Sequence, residues 1–374
     1  MKDWLTVDTD GLRRRAERTG RSPVLELLAN AWDSDATEVL VTLQREGRLT
    51  TITVTDNGRG LSDINDVHTL FGQSAHGANP ERRGRFGVGE KIFLSLCEWC
   101  QITSRDCAVE FGPRGRRNVA ARHDGTIVHA ELRQTEAQYA AMVEAIRACR
   151  APAATTTTLI VGNLRESIPA MVGTVIRATL PTEIESDGVL RRSIRVTDVQ
   201  AVAGDGVIRE MGIPCGEIDL PFDLDVGQKV PQTIERDGSM TAAFNAAIRV
   251  AVLNALAPNM TTDDLSADWA TSAASDGRAT AEAVGAVIRA KFGTMAVAAT
   301  VGSPGSNATA EARGYTVVHG GAMPPGLWSN ARKAGLLQSS ASVFPQTPPA
   351  VLAAAAEAAS AVVAAKCPLC GRSE

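Results

Sequence analysis

A polar stripe on an otherwise apolar helix is the feature that most constrains how this chain can fold. The run from Ser22 to Asp33 predicts a helix that Ser22 can cap and whose first turn suits Pro23. At 3.6 residues per turn, Glu26, Asn30 and Asp33 fall on one narrow stripe, and most other sides are apolar. Such a helix is normally buried. Because burying two carboxylates and an amide is costly, we expect the stripe to face a polar cavity, a metal ion or a ligand, with a solvated polar face as the alternative.

Composition describes an ordinary soluble protein. The chain has 374 residues, enough for two or three domains, and a net charge of -4 that does not advertise nucleic acid as a partner. Seven cysteines, an odd number at irregular spacing, favour reduced thiols over a disulfide framework. The start lacks the apolar core of a signal peptide, and the alanine tract near Ala350 is a poor membrane span. We therefore expect a cytoplasmic protein with no membrane contact.

A β-hairpin and a glycine turn follow the helix. Residues 38–43 are a β-rich run, and in residues 49–55 Ile52 and Val54 alternate with threonines, which together predict a hairpin with one buried face. Asp56 comes next, and Gly58 and Gly60 follow it one residue apart. Such glycines indicate a tight turn and a close backbone approach. Asp56, at the mouth of the sheet, is a candidate for binding a ligand's donor groups.

A long polar connection, residues 62–83, leads to a second glycine-rich segment. Connections of this length are usually lids or binding loops. The segment Gly84–Lys91 precedes an apolar run that predicts a buried helix. Glycines that open a helix leave N–H groups at its positive end, where phosphate binds. The spacing differs from that of a P-loop because no Gly-Lys-Ser/Thr follows.

The rest of the first half predicts strands and one helix. Strands are expected at 101–104 and within 116–132, a helix at 136–150, and a strand at 155–161 that closes the domain.

Four of these segments, in this order, resemble the motifs of the GHKL ATPase superfamily, which includes gyrase B subunits, heat-shock-ninety chaperones, histidine kinases, MutL and MORC proteins. Residues 26–33 resemble the first motif, Glu-x-x-x-Asn-x-x-Asp; residues 56–60 resemble the second and residues 84–89 the third. Residues 156–161 are similar to the fourth, with Thr156 where glycine is usual. The resemblance implies an α/β fold: an α+β two-layer sandwich, the Bergerat ATP-binding fold, followed by a transducer-like α/β domain.

The resemblance also implies roles for these residues. Glu26 would be the general base that deprotonates the attacking water, and Asn30 would hold Mg²⁺. Asp56 would accept a hydrogen bond from the adenine amino group, supported by Thr157, and Asp33 would be a supporting group.

Glycines would shape the rest of the nucleotide site. Gly58 and Gly60 would let the base approach, and the phosphates would be wrapped by Gly84, Gly87, Val88 and Gly89. For Lys91 two alternatives stay open: neutralising the phosphates, or capping nearby structure.

The second half predicts a helix at 168–180, strands at 191–202 and 207–212, and a helix at 241–256. The resemblance implies that a basic residue here reaches the terminal phosphate. Arg236 is the first candidate, in a segment similar to the chaperones' arginine loop, and Lys229 is the second. An ion pair on a surface loop is the alternative for each.

The last third carries no recognised chemistry. Its composition predicts a helix at 279–292, strands at 295–301 and 315–318, a loop at 303–307, a linker at 345–349 and an alanine-rich helix at 350–366. Cys367 and Cys370 have the spacing of half a zinc site, so a Zn²⁺ site shared between two subunits and an unfilled pair are both open. Cys97 and Cys100 have the same spacing but are expected to be core thiols.

Together these observations predict four regions: an ATP-binding domain at 1–164, a transducer-like domain at 165–262, a small α/β region at 263–344, and a tail at 345–374. The expected function is Mg²⁺-dependent ATP hydrolysis in which lid closure acts on DNA or a protein partner, with an ATP-dependent homodimer as an expected assembly. The alternative is a nucleotide-switched interaction module with negligible turnover. A histidine kinase is disfavoured, because the roughly twenty residues before the motifs contain no phosphoacceptor His.

Overall fold

The computed structural model describes residues 11, 13–14, 22–61, 79–83, 89–105, 107–186, 189–232, 239–346 and 349–364. The chain divides into two compact units, Met1–Ala251 and Val252–Glu374. Among the described residues, no helix is both long and apolar enough to cross a membrane. The division into four regions remains a prediction. The first unit contains the predicted region 1–164 and most of the predicted region 165–262.

A mixed sheet forms the base of the first unit. Its described strands lie in the order β5-β4-β3-β6-β2-β1-β7-β8. All neighbours are antiparallel except β1 and β7, which are parallel. The strands are β1 (Glu38–Glu46), β2 (Leu49–Asp56), β3 (Cys97–Thr103), β4 (Ala108–Gly112), β5 (Gly115–Asn118), β6 (Thr126–Arg133), β7 (Thr156–Val161) and β8 (Leu164–Ile168).

The helices with described bounds beside this sheet are α1 (Val24–Asp33), α2 (Gly89–Leu96) and α3 (Glu136–Arg147). The predicted buried face is present in β1 and β2, where Val39, Val41 and Ile52 join one core with the apolar sides of the helices. The result is the predicted two-layer sandwich. Ser22 does not cap α1: the helix begins one residue after the N-cap position, Pro23, and no side chain caps it.

A second sheet follows in the same unit, with the described order β12-β11-β13-β10-β9. Its strands are β9 (Thr174–Ser186), β10 (Val189–Ala203), β11 (Val207–Glu210), β12 (Ile213–Glu217) and β13 (Phe222–Val226). The helix α4 (Ala242–Leu256) comes next. The helix predicted at 168–180 is wrong, because Ile176, Ala178 and Leu180 are buried at a spacing of two while the residues between them are exposed.

The second unit contains short helices and a two-stranded parallel sheet of β14 (Ala296–Ala298) and β15 (Thr316–Val318). The loop predicted at 303–307 is wrong, because Pro304 at the first helical position opens a helix that runs to Ala312. The described helices of this unit are α5 (Thr262–Ser266), α6 (Asp268–Ala274), α7 (Ala281–Phe292), α8 (Pro304–Ala312), α9 (Pro325–Lys333), α10 (Ser340–Val343) and α11 (Pro349–Ala364).

Candidate functional site

The three residues of the polar stripe on α1 differ in exposure. Glu26 is half-buried and Asn30 is exposed, whereas Asp33 at the end of the helix is buried. The apolar residues around them are buried, as the sequence predicts: Val24, Leu25, Leu27, Leu28, Ala31 and Trp32. The stripe is therefore the polar side of a buried helix, with its two ends in different environments.

Asp56 is a buried carboxylate at the end of β2, with only 4% of the residue exposed. Its Oδ1 accepts hydrogen bonds from the backbone N–H of Gly58 at 2.9 Å and from the Ser34 hydroxyl at 3.2 Å. Burial raises the pKa of Asp56, and these hydrogen bonds and nearby His123 oppose that shift. A carboxylate so enclosed is a strong acceptor held at a fixed position.

Asp56 and Thr157 lie in one row across the sheet. Val39 of β1 pairs with Asp56 on one side and with Thr157 of β7 on the other. Side chains paired in this way point to the same face, so the two polar groups flank Val39. Their strands are two spacings apart, about 10 Å. The register thus brings together two residues that are 101 positions apart in the sequence.

Trp32 connects this row to α1. Its indole N–H donates a hydrogen bond to the hydroxyl oxygen of Thr157 at 3.0 Å, and both residues are buried. The hydroxyl therefore has a fixed orientation beside the helix that carries Glu26 and Asn30.

The fold itself requires glycine at both glycine positions of the second motif. A Cβ on Gly58 would lie 1.9 Å from the Ser34 hydroxyl oxygen, so only glycine fits beside that bond to Asp56. Gly60 has φ +75°, a left-handed conformation that favours glycine, and a Cβ there would approach Ser104. Their approach to an adenine ring stays a prediction.

Sequence reasoning missed a cluster of arginines around the end of α1. Arg83 binds Asp33 twice: its guanidinium Nη1 lies 2.5 Å from Oδ1, and its backbone N–H donates to Oδ2 at 2.8 Å. Arg82 contacts Asp35 at 2.5 Å and donates to the Asp33 carbonyl, which Arg59 also contacts at 3.1 Å. The sequence signal was the Arg-Arg pair directly before the glycine-rich segment, but nothing in it indicated the partners.

Lys229 lies in the first unit beside residues 79–83. Its backbone N–H donates to the Pro80 carbonyl at 2.8 Å, and its carbonyl accepts from the Thr182 hydroxyl at 2.9 Å. The residue is 1% exposed, so the surface-loop alternative is wrong for Lys229.

The other predicted residues lie on α2, on β3 or outside the described residues. Lys91 is buried on α2, and Gly89 begins that helix. Cys100 is buried in β3, as a core thiol should be, while Cys97 is half-buried and donates to the Phe93 carbonyl at 3.3 Å. The remaining candidates lie outside the described residues: Gly84, Gly87, Val88, Arg236, Cys367 and Cys370.

Comparison with known proteins identifies the domain that carries these residues. A family model described as "Histidine kinase-, DNA gyrase B-, and HSP90-like ATPase" matches residues 19–147. Residues 19–147 are therefore similar to the ATPase domains of the GHKL type. The GHKL match includes α1, Asp56 and α2, and it ends before Thr157.

Two further comparisons add little to the GHKL assignment. No curated protein matches the chain. The solved N-terminal domain of a DNA repair protein aligns with 12% identity and a TM-score of 0.38, covering 63% of this chain and 92% of that one. At that distance the likeness carries no argument about function.

Proposed function

We propose that this protein binds ATP with Mg²⁺ and hydrolyses it. The observation that carries the proposal is the row of Asp56 and Thr157 beside α1: a fixed, buried acceptor and an oriented hydroxyl next to the helix bearing Glu26 and Asn30. The adenine amino group would donate to Asp56. This agrees with the GHKL match at residues 19–147.

The polar stripe would serve the phosphate end of the nucleotide. Glu26 and Asn30 are one helical turn apart, and Asn30 is exposed where Glu26 is half-buried. An amide oxygen is a hard ligand, and Mg²⁺ usually takes few protein ligands because nucleotide phosphates and water complete its shell, so Asn30 fits this ion. Bound Mg²⁺ would neutralise phosphate charge. Glu26 would accept a proton from the attacking water.

The finer parts of the proposal concern the second sheet and partners. Lys229, beside residues 79–83, and Arg236 are the candidates for reaching the terminal phosphate. Wrapping of the phosphates by Gly84, Gly87, Val88, Gly89 and Lys91 would accompany closure of residues 62–83. Dimerisation on ATP and action on a DNA or protein client follow from the same proposal.

Phosphate release with and without Mg²⁺ tests the enzyme. We expect Glu26→Gln to lower the hydrolysis rate about a hundredfold or more while ATP affinity stays near that of the wild type, because only proton transfer is lost. Glu38→Gln, which alters an exposed carboxylate at the start of β1, is the matched control and should hydrolyse ATP normally. Wild type that binds ATP but turns over no faster than Glu26→Gln would instead support the nucleotide-switched interaction module.

A further inference from the structure

Residues 79–83 contact the end of α1 on one side and the second sheet on the other. On one side, Arg82 and Arg83 bind the end of α1 through Asp33 and Asp35. On the other side, the Pro80 carbonyl accepts from the Lys229 N–H, and Glu81 pairs with Arg195 of β10 at 3.0 Å. This short segment, directly before the glycine motif, therefore joins α1 to the second sheet.

Arg83 is the residue that makes the deepest of these connections. Its Nε donates to the Met211 carbonyl at 3.0 Å, and its Nη2 donates to the same oxygen. The same guanidinium pairs with Asp33, and its central carbon lies 5.2 Å from the centre of the Trp32 ring. The side chains of Arg83 and Asp33 are only 9% and 6% exposed, so solvent screens this pair weakly.

The turn that receives Arg83 is itself held rigidly. Met211 has φ +49°, a left-handed conformation unusual for a side chain of its size, and its N–H donates to the Val226 carbonyl at 2.9 Å. The Gly212 N–H donates to Asp225 at 2.7 Å, and the Gly212 carbonyl accepts from the Arg150 N–H at 2.8 Å. Hydrogen bonds therefore connect this turn directly to β13 and to Arg150, which follows α3.

A continuous set of contacts thus runs from the adenine-side hydroxyl to the second sheet. Thr157 holds the indole of Trp32, Arg83 lies over that ring and pairs with Asp33, and Arg83 binds Met211. Arginine suits this position because its planar fork can bind a carboxylate and a carbonyl at once, which a lysine ammonium does not reproduce.

We propose that Arg83 is a positioning residue that ties the nucleotide site to the second sheet. Through this tie, nucleotide binding at α1 changes the local stability of residues 207–226. This use of the tie rests on the proposed ATP binding. The tie itself exists between described residues and can be tested without nucleotide.

Amide hydrogen exchange on the full chain separates the two claims. In the absence of nucleotide, we expect Arg83→Ala to speed amide exchange at Met211 and Gly212 about tenfold or more. Local opening of the turn costs less free energy in this variant, because the Arg83 contacts no longer have to be broken. Arg82→Ala is the matched control, because Arg82 is adjacent and, within the described part of the chain, binds Asp33 and Asp35 rather than the second sheet. It should leave exchange at Met211 unchanged.

Addition of an ATP analogue with Mg²⁺ then tests transmission. We expect the analogue to change exchange across 207–226 in wild type and Arg82→Ala, and to leave it unchanged in Arg83→Ala, which still binds the analogue. Arg83→Lys, which keeps the charge, guards against a folding failure of the alanine variant and should show the same loss of transmission with native circular dichroism.

The outcomes distinguish the proposals. Wild type that binds no analogue sinks the proposed function, and the nucleotide-free arm still decides the tie. Nucleotide-free exchange at Met211 that is the same in Arg83→Ala and wild type overturns the tie. If the analogue still changes exchange across 207–226 in folded Arg83→Ala or Arg83→Lys, then Arg83 does not transmit nucleotide binding to the second sheet.

Discussion

At the scale of single residues, Asp56 is a group whose buried charge lowers the stability of the fold that holds it. Its carboxylate is enclosed at the end of β2, and burial raises its pKa despite the bonds from Gly58 and Ser34. In the window between the ordinary and the raised pKa, the folded state binds more protons than the unfolded state. The free energy of unfolding therefore falls as pH rises through that window, and the cost is fully present above it.

Asp56→Asn should separate stability from binding. The amide oxygen of Asn can still accept from Gly58 and Ser34, but it carries no charge, so we expect the variant to lack this part of the pH dependence. Urea denaturation should measure this as a difference in free energy of unfolding between the variant and wild type. That difference should favour the variant more at neutral pH than at pH 4. ATP affinity should fall about tenfold to a hundredfold, because an acceptor for the adenine amino group is lost.

The control for this prediction is Asp225→Asn in β13. Burial raises the pKa of Asp225 too, so its removal should change the pH dependence of stability in the same direction. It lies in the second sheet, away from the Asp56 row, and is the control for the pH dependence of stability only. Equal affinity of ATP for Asp56→Asn and wild type would contradict the assignment of Asp56.

At the scale of elements, the turn between β11 and β12 depends on one glycine. Gly212 has φ +91°, and a Cβ there would lie 1.9 Å from the Arg150 carbonyl oxygen. The backbone of Arg150 cannot relieve that contact without moving the segment that follows α3. The turn is therefore a rigid support for the Arg83 contact.

Two glycines with similar positive φ angles allow the cost of backbone strain to be separated from the cost of a steric clash. Gly212→Ala should lower the free energy of unfolding by about 2 kcal/mol or more, from the left-handed conformation together with the clash. Gly115→Ala, at φ +84° in the hairpin of β4 and β5 with nothing within 4 Å, carries only the conformational part and should cost about 1 kcal/mol. Urea denaturation of both variants provides the measurement, and equal losses would show that the Arg150 contact does not matter.

The same elements show what could be predicted from the sequence. Period-two and period-3.6 patterns predicted β1, β2 and the burial of α1, because one face of each packs on a common core. The helix predicted at 168–180 failed because short runs of small and apolar residues fit either structure until a neighbour selects one, here β10 paired along β9. The contacts of Arg83 could not be predicted, because its partner Met211 is 128 positions away in another sheet.

At the scale of the molecule, the chain is two compact units, and the residues assigned to ATP all belong to the first. Unit Met1–Ala251 contains both large sheets and the contacts of Arg83, whereas unit Val252–Glu374 contains a separate small sheet and its helices. Units with their own cores can unfold in separate transitions. A ligand stabilises the unit that binds it, by mass action.

Calorimetry of the full chain should therefore resolve two transitions, of which ATP with Mg²⁺ shifts only one. At a ligand concentration a hundred times Kd, the stabilisation is about 2.7 kcal/mol, and it should appear as a higher Tm for the transition assigned to 1–251. Glu26→Gln, which should still bind ATP, is expected to show the same shift, whereas Asp56→Asn at that concentration should show a smaller one. A single transition would mean that the two units unfold together, and a shift of both transitions would mean that nucleotide binding also stabilises residues 252–374.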